Sequence, residues 1–183
     1  MGVIQQLADE LGAEERTLRR AVAQGTIHCR RQGPRRIKLS PCEADYLRQH
    51  WELLFELRKA LRTEPKVRLA VLYGSVARGH EDADSDLDLL VALPDDEPMA
   101  ATGLASRLDR VCARDVDVAH LDRIDKTAPL LLERVIDEGR VLVDRDGIWD
   151  ELRLRRRSIA ARAKRSYERQ MNEAVLAIEE STA

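Results

Sequence analysis

Cysteine, aromatic side chains and long apolar runs are all scarce in this chain, and each scarcity excludes something. The 183 residues include three cysteines, Cys29, Cys42 and Cys112. They are odd in number, far apart and without CxxC or other metal-ligand spacing, which argues against a disulfide framework or a zinc site. A reducing cytoplasm is the expected home. Aromatic residues make up only 3%, so the core must be built from Leu, Val, Ile and Ala. No stretch approaches the roughly 18 consecutive apolar residues of a membrane span, so no membrane association is expected. The opening residues, Met1-Gly2-Val3-Ile4-Gln5-Gln6, lack a basic stretch followed by an apolar run, so no secretory signal is expected. A myristoylation start needs Ser or Thr where this chain has Gln6. A charge excess is lacking too: 31 Lys and Arg face 33 Asp and Glu, net -2. That argues against a uniformly basic nucleic-acid coat but not against a local basic patch.

What is present suffices for one large domain or two small ones. Hydrophobic residues reach 44% and charged residues 35%, a composition of packed helices with charged outer faces. The charge is distributed in blocks. Residues 1–62 carry net +4, residues 63–100 net -6, residues 101–147 net -2 and residues 148–183 net +2.

Helical spacing of Val3, Ile4, Leu7, Ala8 and Leu11 gives a first helix stopped near Gly12, and Leu18, Ala21 and Val22 give a second stopped at Gly25. Such a pair resembles a helix-turn-helix. Residues 26–38 read as a small hairpin, with strands at Thr26–Cys29 and Arg36–Leu39 around a Gln32-Gly33-Pro34 turn. Ser40-Pro41 with Glu43 starts a helix that runs to about Arg62, where Thr63-Glu64-Pro65 breaks it. The pattern then becomes β/α: strands at Val67–Tyr73, Asp86–Leu93, Val116–Leu121 and Arg140–Val143, helices at Met99–Ala113 and Pro129–Glu138, and a long terminal helix at Trp149–Glu180.

The segment carrying chemistry is Leu72-Tyr73-Gly74-Ser75-Val76-Ala77-Arg78-Gly79, followed by Asp86-Leu87-Asp88. Alternate residues of a strand share a face. Asp86 and Asp88 therefore present two carboxylates side by side, while Leu87 and Leu89 point into the core. Like charges so placed call for a cation between them, and hard oxygen ligands suit Mg²⁺ or Mn²⁺. The Gly74-Ser75 turn offers backbone N–H groups and a hydroxyl nearby, with room for a phosphate. A third carboxylate lies on the next strand, where Asp115 and Asp117 share a face and either could serve. His80 and His120 have no partner at metal spacing.

Gly74-Ser75, then ten residues, then Asp86-Leu87-Asp88 resembles the signature of the DNA polymerase β-like nucleotidyltransferase superfamily. More narrowly, with Arg78-Gly79, Ser85 and the stretch from Leu131 to Val143, it resembles the minimal nucleotidyltransferases that accompany HEPN-domain partners as antitoxins. The resemblance covers roughly residues 66–145. It implies an α+β fold, a small mixed sheet flanked by helices, here preceded by a winged helix-turn-helix-like domain. It implies that Gly74, Ser75 and Arg78 meet the nucleotide. It implies that Asp86, Asp88 and Asp117 are catalytic and bind two Mg²⁺ ions (or Mn²⁺), with Asp117 favoured over Asp115 because apolar residues flank it. ATP is then the substrate, and AMP goes to a tyrosine hydroxyl of a HEPN-type toxin.

The expected organisation is a helix-turn-helix-like domain with basic hairpin and connecting helix (1–62), a transferase domain (66–145) and a C-terminal helix (146–183) packing on that domain or on a partner, in a homo- or hetero-oligomer. Arg16, Arg19 and Arg20 on the second helix and Arg30, Arg31, Arg35 and Arg36 on the hairpin leave two readings open. They are a wing and recognition helix on DNA phosphates, or a solvated or protein-docking face. Arg153, Arg155, Arg156 and Arg157 open the last helix, where cations are unfavourable, so an acidic partner or RNA is weighed there against a solvated face. The competing functions are a non-catalytic winged-helix regulator with a nucleotide-sensing transferase-like domain, and a nucleotidyltransferase acting on tRNA or a small molecule.

Overall fold

Each central strand carries two apolar rows, so the sheet must be covered on both sides. The structure, a computed structural model, describes residues 2–32, 37–82, 85–94 and 100–182. In chain order these form α1 (Val3–Glu10), α2 (Glu15–Gln24), β1 (Arg30–Arg31), β2 (Ile37–Lys38), α3 (Pro41–Arg62), β3 (Leu69–Tyr73), α4 (Gly74–Arg78), β4 (Leu87–Ala92) and α5 (Ala100–Cys112). There follow β5 (Val116–His120), α6 (Leu121–Thr127), α7 (Pro129–Glu138), β6 (Arg140–Asp144), α8 (Ile148–Leu154) and α9 (Arg156–Thr182). The sheet has the order β5-β4-β3-β6. β3 is antiparallel to β4 and β6, while β4 and β5 run parallel.

Ala70, Leu72, Leu87, Leu89 and Val91 face one side, under α3 and α5. Leu69, Val71, Tyr73 and Leu90 face the other, under α7, α8 and the start of α9. The first core does not stop at the sheet. Ile4, Leu7 and Leu18 of α1 and α2 and Leu47 and Leu54 of α3 belong to the same buried cluster as Leu72 and Leu142.

Pro41 opens α3, and the Ser40 Oγ accepts from the Glu43 N–H at 3.1 Å, the cap its sequence predicts. The hairpin forms later than its expected first strand. Arg30 pairs with Lys38 and Arg31 with Ile37, whereas Thr26 is buried with its hydroxyl donating to the Val141 carbonyl. Thr26 and Ile27 are spent packing the N-terminal segment on β6 instead of pairing a strand. The expected turn at Gly33-Pro34 lies outside the described residues. α6 interrupts what reads in sequence as strand end and loop, and the terminal helix is two helices meeting at Arg155.

A buried ion pair ties α3 to β6. Arg140 and Glu43 are only 3% and 6% exposed. Arg140 Nη1 and Nη2 donate to the two Glu43 carboxylate oxygens at 2.6 and 3.0 Å, the bidentate fork that suits a desolvated arginine. Among the described residues no helix is long and apolar enough to cross a membrane.

Candidate active site

β3 delivers the chain to one end of the sheet at Tyr73, and α4 starts at once with Gly74 at φ +77°. A side chain there would be strained by the left-handed backbone, and its Cβ would strike the Asp88 carboxylate. Glycine is therefore what lets the Gly74-Ser75 backbone lie directly against Asp88. Tyr73 and Asp88 are register partners across β3 and β4. On the other side of β4, Asp88 is paired with Asp117 of the parallel strand β5. Neighbouring strands lie about 4.8 Å apart, so these two carboxylates are adjacent on one face. Asp86, just before β4, is exposed beside them. Ser85 Oγ accepts from the Asp82 N–H at 2.8 Å, within the turn that leads into Asp86.

The electrostatics agree with that placement. Burial, followed by the charges of Asp117 and Asp86, pushes the Asp88 carboxyl above its ordinary value, and Arg78 opposes the shift. Burial and then Asp88 and Asp117 push the Tyr73 hydroxyl up to about 12. Asp117, not Asp115, thus bears on Asp88; Asp115 contributes its carbonyl, which accepts from the Leu87 N–H at 2.8 Å. Among the described residues no group of three or more His, Cys, Asp or Glu side chains is already gathered closely enough to hold an ion. The acids form an open edge of mutually repelling oxygen donors, the donor type that takes a hard divalent cation.

Arg78 leaves the end of α4 and donates to Glu138 of α7 at 2.8 Å. Its partner Glu138 lies outside the candidate set drawn from sequence, because it is 60 residues away from Arg78 in the chain. His80 is exposed. Gly74→Ala is expected to weaken nucleotide binding about tenfold or more, with one misplaced Cβ adding roughly 1–2 kcal/mol of backbone strain to the collision. Titration with a fluorescent nucleotide checks it, and unchanged affinity would contradict the close approach.

Residues 56–148, half of the chain, match the family described as polymerase beta, nucleotidyltransferase. The chain belongs to that family. A nucleotide is therefore its substrate. The curated proteins contain no matching relative. Among solved structures, a toxin–antitoxin complex with AMP-PNP is similar at 25% identity, with a TM-score of 0.49, over 71% of this chain and 98% of that one. A complex of the tri-AMPylated Shewanella oneidensis HEPN toxin with its MNT antitoxin is similar at 24% identity, with a TM-score of 0.46, over 73% of this chain and 99% of that one.

The remaining site candidates from the sequence lie in the N-terminal segment, residues 1–62. Arg16 and Arg20 of α2 and Arg30 of β1 are exposed. Arg19 donates to Glu15 one turn earlier at 2.6 Å. The Arg31 side chain, Arg35 and Arg36 lie outside the described residues. Two of the arginines at the start of the last helix, Arg155 and Arg156, have acids on other helices. Arg155 and Arg162 both reach Asp125 of α6, and Arg156 reaches Asp137 of α7 at 2.7 Å. Burial works to raise the Asp125 carboxyl, but hydrogen bonds from Arg162 and Arg155 outweigh it and hold it low. These pairs fasten α9 to α6 and α7.

Proposed function

We propose that this nucleotidyltransferase moves AMP from ATP to a hydroxyl of a partner protein, a HEPN-type toxin that it silences as the antitoxin of a HEPN/MNT pair in the cytoplasm. The observation that carries the transferase chemistry is the row Asp86, Asp88 and Asp117 against the bare backbone of Gly74. The choice of partner follows from the resemblance of the Gly74–Val143 sequence to the minimal nucleotidyltransferases.

The donor set fits two Mg²⁺ ions, or Mn²⁺: three carboxylates, one of them held toward its neutral form by burial and by the other two and so poised to gain from a cation. Asp86 and Asp88 would hold both ions and Asp117 would complete the second site. When bound, such ions stabilise the attacking and leaving oxygens of an in-line displacement. Gly74 and Ser75 take the β- and γ-phosphates through backbone N–H groups and the Ser75 hydroxyl. Arg78 offsets the triphosphate charge. Asp117 accepts the proton of the acceptor hydroxyl. The acceptor oxygen bonds to the α-phosphorus, the α–β bridging P–O bond breaks, and pyrophosphate leaves. Positioning and charge stabilisation supply the acceleration.

Incubation with Mg²⁺, ATP and the product of the neighbouring gene tests this. A mass increase of one AMP on a partner tyrosine, absent with the Asp86→Ala/Asp88→Ala variant, is the expected result. An unmodified partner, or modification by that variant, contradicts it.

Functionally, residues 1–62, 66–145 and 146–183 divide into a DNA-contacting segment, the transferase and a fastening helix. Arg16, Arg19, Arg20, Arg30, Arg31, Arg35 and Arg36 contact DNA phosphates. Arg30→Ala/Arg31→Ala is expected to weaken DNA binding at all sequences alike and to reduce its salt slope by about 0.9 per lost contact. Unchanged binding contradicts the wing.

A further inference from the structure

The face of α3 near α4 carries a continuous column of polar and aromatic contacts in which Tyr46 also belongs to the buried core. Arg140 donates from Nε to the carbonyl of Ala77, in the last turn of α4, at 2.7 Å. Its guanidinium sits 3.5 Å above the centre of the Tyr46 ring, a stacked arrangement arginine favours. Tyr46 stacks in turn on His50 with ring centres 4.2 Å apart. Both His50 ring nitrogens face acceptors, Nδ1 the Tyr46 carbonyl at 2.8 Å and Nε2 the Glu81 carboxylate. Gly79, which ends α4, lies so close over Tyr46 that a Cβ there would come within 3.1 Å of the ring. α4 and the turn behind it are thus gripped at Ala77, Gly79 and Glu81. The same short segment begins with Gly74-Ser75 and continues into Asp86.

We infer that Tyr46 and Glu81, with His50, Glu43 and Arg140, are positioning residues for nucleotide binding, so that α3 of the N-terminal segment supplies the floor of the transferase site. This rests on the transferase reading of the edge. The column touches no substrate group. It sets the height of α4, and with it the distance from the Gly74-Ser75 backbone to Asp88. A shift of one ångström in such a cradle is costly to a positioned phosphate.

The test is titration of the full chain with the fluorescent analogue mant-ATP and Mg²⁺, beside a thermal melt of each variant. Tyr46→Leu removes the stacking platform. Glu81→Ala removes the last link, whose side chain is only 15% exposed, and is expected to melt somewhat lower while staying folded at the assay temperature. Both are expected to bind about tenfold or more weakly. Tyr46→Phe keeps the ring and discards a hydroxyl without a hydrogen-bond partner among the described residues, and is expected to rescue binding. If Glu81→Ala, folded at the assay temperature, binds mant-ATP as well as the wild type, the column is structural only and the inference falls. If the wild type itself fails to bind mant-ATP while folded, it is the transferase reading that fails.

Discussion

Asp88→Asn is expected to lower nucleotidyl transfer by roughly three orders of magnitude, the scale of losing a group that organises charge in the transition state, and at the same time to raise the melting temperature in metal-free buffer. Both effects come from one cause. Asp88 is half-buried between Asp117 and Asp86, and burial and those two charges together push its carboxyl above the ordinary value. The folded protein therefore holds the Asp88 proton more tightly than the unfolded chain. The stability this contributes is present below the ordinary carboxylate range and is lost as pH rises through the raised value. Asparagine removes the repulsion at neutral pH, so its gain is largest there and shrinks in acid. Melts with a chelator at neutral pH and near pH ~4 measure it. An inactive variant that is also less stable at neutral pH would contradict the account of a site kept strained for function.

Glu43→Ala is expected to destabilise the protein by about 3–5 kcal/mol, because Arg140 would remain buried without a counter-charge. Arg140 is only 3% exposed and has Glu43 as its carboxylate partner in a bidentate fork. Removing both charges is a different matter: Glu43→Leu/Arg140→Met should cost far less than Glu43→Ala alone, since neither charge is then desolvated. Urea denaturation of the two variants measures the difference. Because α1 to α3 share one apolar cluster with the sheet, a single cooperative transition is expected in both. Equal losses in the single and double variants would show that the pair is less isolated than its burial implies.

Short-range patterns carried the elements well. The alternation of Leu87, Leu89 and Val91 located β4 to within one residue at each end, and Ser40-Pro41-Glu43 located the start of α3. The Gly-Ser and Asp-Leu-Asp segments could be read because their spacing within two consecutive elements already brings them to one edge. What could not be read depends on pairings far apart in the chain. The resemblance favours Asp117 over Asp115 on its apolar flanks, but the physical reason, a parallel register that pairs Asp88 with Asp117, is encoded by no local pattern. Glu43 and Arg140 are 97 residues apart, and each reads as an ordinary charge on an ordinary element. Arg155 and Arg156 looked like surplus positive charge because their acids, Asp125 and Asp137, belong to other helices. Thr26 read as a strand residue because β propensity says nothing of the Val141 carbonyl that claims its hydroxyl.

Whether Asp86, Asp88 and Asp117 beside Gly74 transfer a nucleoside monophosphate is decided by comparing ATP labelled at the α-phosphate with ATP labelled at the γ-phosphate, in the presence of Mg²⁺ and the partner protein. Label from the α-position is expected on the partner, with γ-label recovered in pyrophosphate and both outcomes lost on chelation or in Asp86→Ala/Asp88→Ala. Transfer of the γ-label, or α-label transfer that survives loss of the two aspartates, would contradict it.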